Sequence, residues 1–105
     1  MVHQVDGARF HPVDLPPGRT AVLFAADWCG YSHRFHHHFK RLREGWIVDI
    51  SDEDDPLWDR YGIRVVPTVI VFEDGEPRER WAGVLSGHHV DQIEAALKVS
   101  SASAG

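Results

Sequence analysis

The chain has 105 residues, 43% of them hydrophobic and 10% aromatic, enough for a single domain built around one core. Eleven Lys and Arg against sixteen Asp and Glu leave a net charge of −5, which argues against a nucleic-acid binder and gives anionic membranes no basic patch to hold. No apolar run approaches the roughly 20 residues of a membrane-spanning helix, no secretory signal is expected from the first residues, and a lone cysteine excludes a disulfide framework and points to a reducing, cytoplasmic setting.

Residues 1–19 read as an irregular N-terminal segment, broken by Pro12, Pro16, Pro17 and Gly18, with a weak strand signal over residues 8–11. Residues 20–26 are apolar without alternation, as in a strand buried on both faces. Over residues 30–43, Tyr31, Phe35, Phe39 and Leu42 recur on one face of a helix, and Gly45 marks its end. Residues 46–50 read as the next strand and residues 51–55 as an acidic, solvated loop. Asp55-Pro56 then caps a short helix over residues 56–61.

Residues 69–72 form a strand, Glu73-Asp74-Gly75-Glu76 a hairpin turn, and residues 78–82 a returning strand at the sheet edge. Val90, Ile93, Ala96 and Leu97 give an amphipathic helix over residues 87–99, capped by Ser86, and residues 100–105 form a flexible small-residue tail. A strand–helix–strand crossover requires parallel strands and the hairpin adds antiparallel ones. The fold class is therefore α/β, with a mixed central sheet flanked by helices on both faces.

Trp28-Cys29-Gly30-Tyr31-Ser32 lies where the first buried strand meets the first helix. A thiol at a helix N-terminus faces unpaired backbone N–H groups and the positive end of the helix dipole. Both favour the thiolate, which is the reactive form. Three residues further on, where a redox pair would carry its second cysteine, stands Ser32.

This order of elements resembles the thioredoxin fold. Tyr61-Gly62-Ile63-Arg64-Val65-Val66-Pro67-Thr68 is similar to the segment that carries the family's cis-proline, and Trp81-Ala82-Gly83-Val84-Leu85-Ser86 follows in the family's order and spacing. The resemblance covers roughly residues 20–99. It implies that Cys29 is the attacking thiol and that Ser32 holds the resolving position. It also implies that Trp28, Gly30, Tyr31, Val66, cis-Pro67 and Gly83 border a groove where Val66 pairs with an extended substrate.

Four departures from the family stand out, one of them in the helices: the first helix of the site is shorter than is typical, and the N-terminal region shows no clear first helix. Ser32 replaces the resolving cysteine, Leu23 stands where a buried aspartate is usual, and Ile47 stands near that aspartate's lysine partner. The resemblance implies a thiol–disulfide oxidoreductase acting on protein disulfides, monomeric and without cofactor. Its partners would be a disulfide reductase or thiol donor, with no role for nucleic acid or membrane. Ser32 reads either as a replaced cysteine of a Cys-Gly-Tyr-Cys site or as part of a natural monothiol site. The alternatives are a redox-inactive binding or chaperone module on the same fold, which Leu23 and Ile47 favour, and a glutathione-linked monothiol protein.

His33, His36, His37 and His38 crowd the helix after Cys29. Their readings are a solvated helix face, a thiolate-stabilising role for His33, or a metal site with Cys29 and His37, for which the geometry is a poor match; no metal is expected. Trp46, Trp58 and Trp81 read as core packing, and Trp28 alone among the tryptophans is assigned to the site.

Overall fold

A computed structural model describes residues 2–83 and 86–99. Five strands form one sheet: β1 (Val2–Asp6), β2 (Arg19–Ala25), β3 (Gly45–Asp49), β4 (Thr68–Glu73) and β5 (Glu76–Ala82), in the order β1-β3-β2-β4-β5. β3 runs parallel to β1 and β2, while β4 is antiparallel to both β2 and β5. The helices are α1 (Gly30–Phe39), α2 (Leu57–Arg60) and α3 (Gly87–Lys98). The crossover from β2 through α1 to β3 is thus parallel, as the sequence requires.

Side chains of a strand alternate between faces, and here the alternation separates two cores. Ala21, Leu23, Ile47, Val69 and Val71 face α1 and α3, meeting Phe35, Phe39, Val90, Ile93 and Ala96. Val22, Phe24, Val48, Ile70 and Phe72 face the other way, toward Leu57, Tyr61 and Ile63 around α2 and toward Phe10 and Leu15. The central strands are apolar throughout because each side of them is covered.

The N-terminal segment departs from the sequence reading. Val2–Asp6 pair with β3 in register from Val2↔Gly45 to Asp6↔Asp49, whereas residues 7–9 and 12–14 form single 3-10 turns, so the weak strand signal over residues 8–11 is not realised. The edge strand escapes pattern recognition because His3 and Gln4 are exposed and no apolar alternation is needed there. The second core face carries no long helix over this segment. It is closed by an aromatic cluster in which Phe10 lies edge-on to Phe24 (5.8 Å, 86°) and Tyr61 edge-on to Phe72 (5.4 Å, 89°).

α1 ends at Phe39, four residues before the expected position 43. Arg41 and Leu42 bond back three residues, to His38 and Phe39, so the chain tightens out of the helix while Leu42 stays buried. The Phe39 ring then fills the space beside Gly45, where a Cβ would come within 2.9 Å of it. Around α2 the cap lies one residue from its expected place. Pro56 is the residue before the helix, and the Asp55 carboxylate accepts from Leu57 N at 2.9 Å.

The β4–β5 turn has Asp74 and Gly75 both at positive φ (51° and 86°), the geometry that Asp-Gly favours in two-residue hairpins. Ser86 precedes α3 as expected, its N–H donating to His89 Nδ1 at 3.1 Å. Val84, Leu85 and the tail assigned to residues 100–105 lie outside the described residues.

Candidate active site

β2 is buried along most of its length and delivers the chain to the sheet's end at Ala25, where a turn closed by Cys29 N to Ala26 O (3.2 Å) leads into α1. Cys29 is the residue before the helix, in extended conformation, with its thiol half-buried. Across from it the Val66–Pro67 peptide bond is cis, as the resemblance implies, and Cys29 Sγ donates to Val66 O at 3.5 Å. Thr68 Oγ1 holds the same loop by donating to Val65 O at 2.8 Å.

Gly83 stands next to this loop at φ +97°, its N–H donating to Pro67 O at 3.1 Å. Trp28 and Tyr31, close to Cys29 in the chain, and Val65, next to the residue that accepts from its thiol, are 54%, 49% and 45% exposed. Gly30 is exposed, and a Cβ there would meet nothing within 4 Å. The structure therefore brings together Trp28, Cys29, Ser32, Val66, Pro67 and Gly83. Tyr31 belongs to the exposed rim and not to the helix's buried face, where the periodicity also placed it. Ser32 takes the buried position, and the Arg34 guanidinium lies 5.4 Å over the Tyr31 ring.

Burial pushes the Cys29 thiol pKa up, but hydrogen bonds from the Ser32 backbone and side chain and from the Tyr31 backbone outweigh it, so the pKa falls below its ordinary value. These are the free donors of the first helical turn together with one hydroxyl. Ser32, 3% exposed, also accepts from Ala26 N at 3.3 Å, so its oxygen bridges strand and helix. Beneath α1, Leu23 and Ile47 are register partners on β2 and β3 and are 0% and 6% exposed. The place where a proton-accepting carboxylate and its partner would sit is filled by hydrocarbon.

The histidines of α1 do not converge on the thiol. His33 Nε2 lies 2.6 Å from Asp27 O, so this ring holds the backbone that leads to Cys29. His36 is half-buried, its pKa lowered by burial and then by the neighbouring Lys40, His37 and His33. Among the described residues no group of three or more His, Cys, Asp or Glu is placed to hold a metal ion. Trp46, Trp58 and Trp81 are half-buried and pack against the edges of the two cores. Trp58 also lies parallel to Trp28 (6.5 Å, 5°), a site contact with no signature in the sequence.

A thiol at a strand–helix junction facing a cis-proline loop defines a thioredoxin-type site on a thioredoxin fold. The chain belongs to the thioredoxin-like domain family, whose model matches residues 16–98. It is 40% identical over 85 residues to the chloroplastic thioredoxin Y1 of Arabidopsis thaliana, covering 74% of this chain and 49% of that protein. A mutant thioredoxin from Halobacterium salinarum superposes with a TM-score of 0.76 at 26% identity, covering 93% of this chain and 92% of that one. Thioredoxin f2, in its complex with ferredoxin:thioredoxin reductase, gives 0.75 at 27% identity, with 90% and 94% covered. The chain spans about half the length, or less, of several curated relatives it matches.

Proposed function

We propose that the chain is a single-thiol, thioredoxin-type disulfide-exchange protein acting on protein disulfides through Cys29. The observation that carries this reading is the Cys29 thiol, lowered in pKa and 3.5 Å from Val66 O beside cis-Pro67. An extended peptide would pair with the Val66 backbone, between Trp28, Gly30 and Tyr31 on one side and Gly83 on the other. The Cys29 thiolate attacks one sulfur of the substrate disulfide; a new S–S bond forms, the old one breaks, and the substrate's second sulfur leaves as a thiolate. Ser32 occupies the position of a resolving cysteine but has no sulfur with which to displace Cys29. An external thiolate must therefore attack the mixed disulfide and take the substrate sulfur or Cys29 into a new disulfide.

A disulfide reductase or a small thiol would fill that role, in a reducing compartment and with the chain acting as a single-domain monomer. The thioredoxin f2 complex with a reductase supports a partner of the first kind. The second reading, a binding module on the same fold, draws on Leu23 and Ile47, which put hydrocarbon where a buried carboxylate and its lysine partner are usual.

Insulin reduction in dithiothreitol, run for this chain and Ser32→Cys side by side, separates the two. Turnover of at least tenfold over background in Ser32→Cys is the expected result, together with an insulin adduct on Cys29 when the pre-reduced parent chain is mixed with insulin in the absence of dithiothreitol. Absence of both the adduct and the gain would leave the binding module, for which a partner held equally well by Cys29→Ala is the supporting observation.

A further inference from the structure

The two residues before Cys29 are fastened from outside the motif, and the fasteners converge on one residue. Asp27 N donates to Ser51 Oγ at 2.8 Å, and Trp28 Nε1 donates to Ser51 O at 2.8 Å. Ser51 is itself fixed: its N–H donates to Asp49 Oδ1 at 2.8 Å and its hydroxyl donates to the same oxygen. With its proton committed to that carboxylate, the Ser51 hydroxyl presents lone pairs to the Asp27 amide, so the three groups form one polarised chain. In the next peptide unit, Asp27 O is held by His33. Trp58 completes the arrangement, its ring parallel to Trp28 and its Nε1 bonded to Ile50 O and Asp52 O, both at 3.1 Å.

We infer that Ser51 is a positioning residue for the Cys29 thiol, acting through Asp27 and Trp28. The sulfur is useful only while it sits over the first-turn N–H groups of α1 and within reach of the Val66 carbonyl. Both placements depend on the orientation of the turn at residues 26–29. The end of β3 supplies that orientation, because Asp49 closes the strand and Ser51 lies two residues beyond it. The strand that packs beside β2 in the sheet thereby sets the thiol's geometry.

The role rests on Cys29 being the attacking thiol, and its test needs no disulfide substrate. The measurement is the pH profile of Cys29 alkylation by iodoacetamide in the full chain. Ser51→Ala, which keeps the carbonyl but loses the hydroxyl, is expected to move the profile to higher pH and slow alkylation at pH 7 roughly fivefold. Ser51→Thr is expected to restore the parent profile. Should Ser51→Ala fail to fold, Asp49→Ala, which removes the oxygen that accepts from the Ser51 N–H and hydroxyl, serves instead. Loss of a nearby negative charge would by itself favour the thiolate, so an upward shift there reports lost positioning. A parent-like profile in Ser51→Ala, failure of Ser51→Thr to keep the parent profile, or a parent-like or downward-shifted profile in Asp49→Ala would overturn the inference. A parent chain that alkylates readily yet never traps insulin would sink the proposed function and leave the role of Ser51 standing.

Discussion

On the solvent side of Cys29 lie Trp28, Tyr31 and Val65, each about half exposed, near the Val66 carbonyl that accepts from the thiol and the loop that Gly83 bonds. On its interior side lie Ser32, Leu23 and Ile47, at 3%, 0% and 6% exposure. Under the proposed function, the outer half is the one that receives an extended peptide and begins an exchange. The inner half, where a dithiol protein would finish the exchange and move a proton, is a sealed apolar layer with one hydroxyl. Under the proposed function, attack and resolution are therefore separable parts of this architecture, with only the first built in.

Three substitutions break or sharpen that contrast. Putting a carboxyl into the sealed half with Leu23→Asp places it in a fully buried core position, without the hydrogen-bond partners that would offset desolvation. A stability loss of at least about 3 kcal/mol is expected in urea unfolding. If Leu23→Asp in a Ser32→Cys background raises insulin turnover further despite that loss, the missing carboxyl is what limits resolution.

On the open half, Gly83→Ala forces a Cβ onto a residue at φ +97° and brings it to 4.0 Å from the Val65 side chain. Thermal unfolding should show a loss of about 1–2 kcal/mol. The yield of the trapped insulin adduct should fall while iodoacetamide alkylation is unchanged, because the groove narrows and the thiol does not move.

The smallest effect falls at the junction of the halves. Ser32→Ala leaves Ala26 N without its acceptor and costs about 1 kcal/mol. It also removes a hydrogen bond that favours the Cys29 thiolate, so the thiol pKa rises toward its ordinary value and less thiolate is present at neutral pH. Alkylation at pH 7 should slow roughly threefold and approach the parent rate at alkaline pH. An unshifted profile would assign the lowered pKa to the helix backbone alone.

The features written in local chemistry were legible in the sequence. Asp74-Gly75 announces its turn because few residues tolerate two successive positive φ values, and Pro67 just before β4 announces the loop that faces Cys29. The buried strands are visible because they are apolar on both faces. β1 was not, since an edge strand draws its stability from backbone pairing with β3 and leaves His3 and Gln4 in solvent. The end of α1 was overshot because Leu42 keeps the helical spacing while belonging to a tighter turn. Ser51 and Trp58 carry no signature at all. Their contacts with Asp27 and Trp28 cross 24 and 30 positions of sequence and exist only once β3 has docked beside β2.

Phe10 has a consequence beyond packing. It is 2% exposed, and its ring touches Phe24, Tyr61 and Phe72 from a segment made of 3-10 turns. One side chain thus roofs a stretch of sheet that a longer helix would otherwise shelter. Detaching that segment by a protease cut near residue 15 would unroof Phe24, Ile70 and Phe72 as a contiguous oily surface while leaving the thiol's surroundings in place. The cut chain would be expected to aggregate while Cys29 still alkylates.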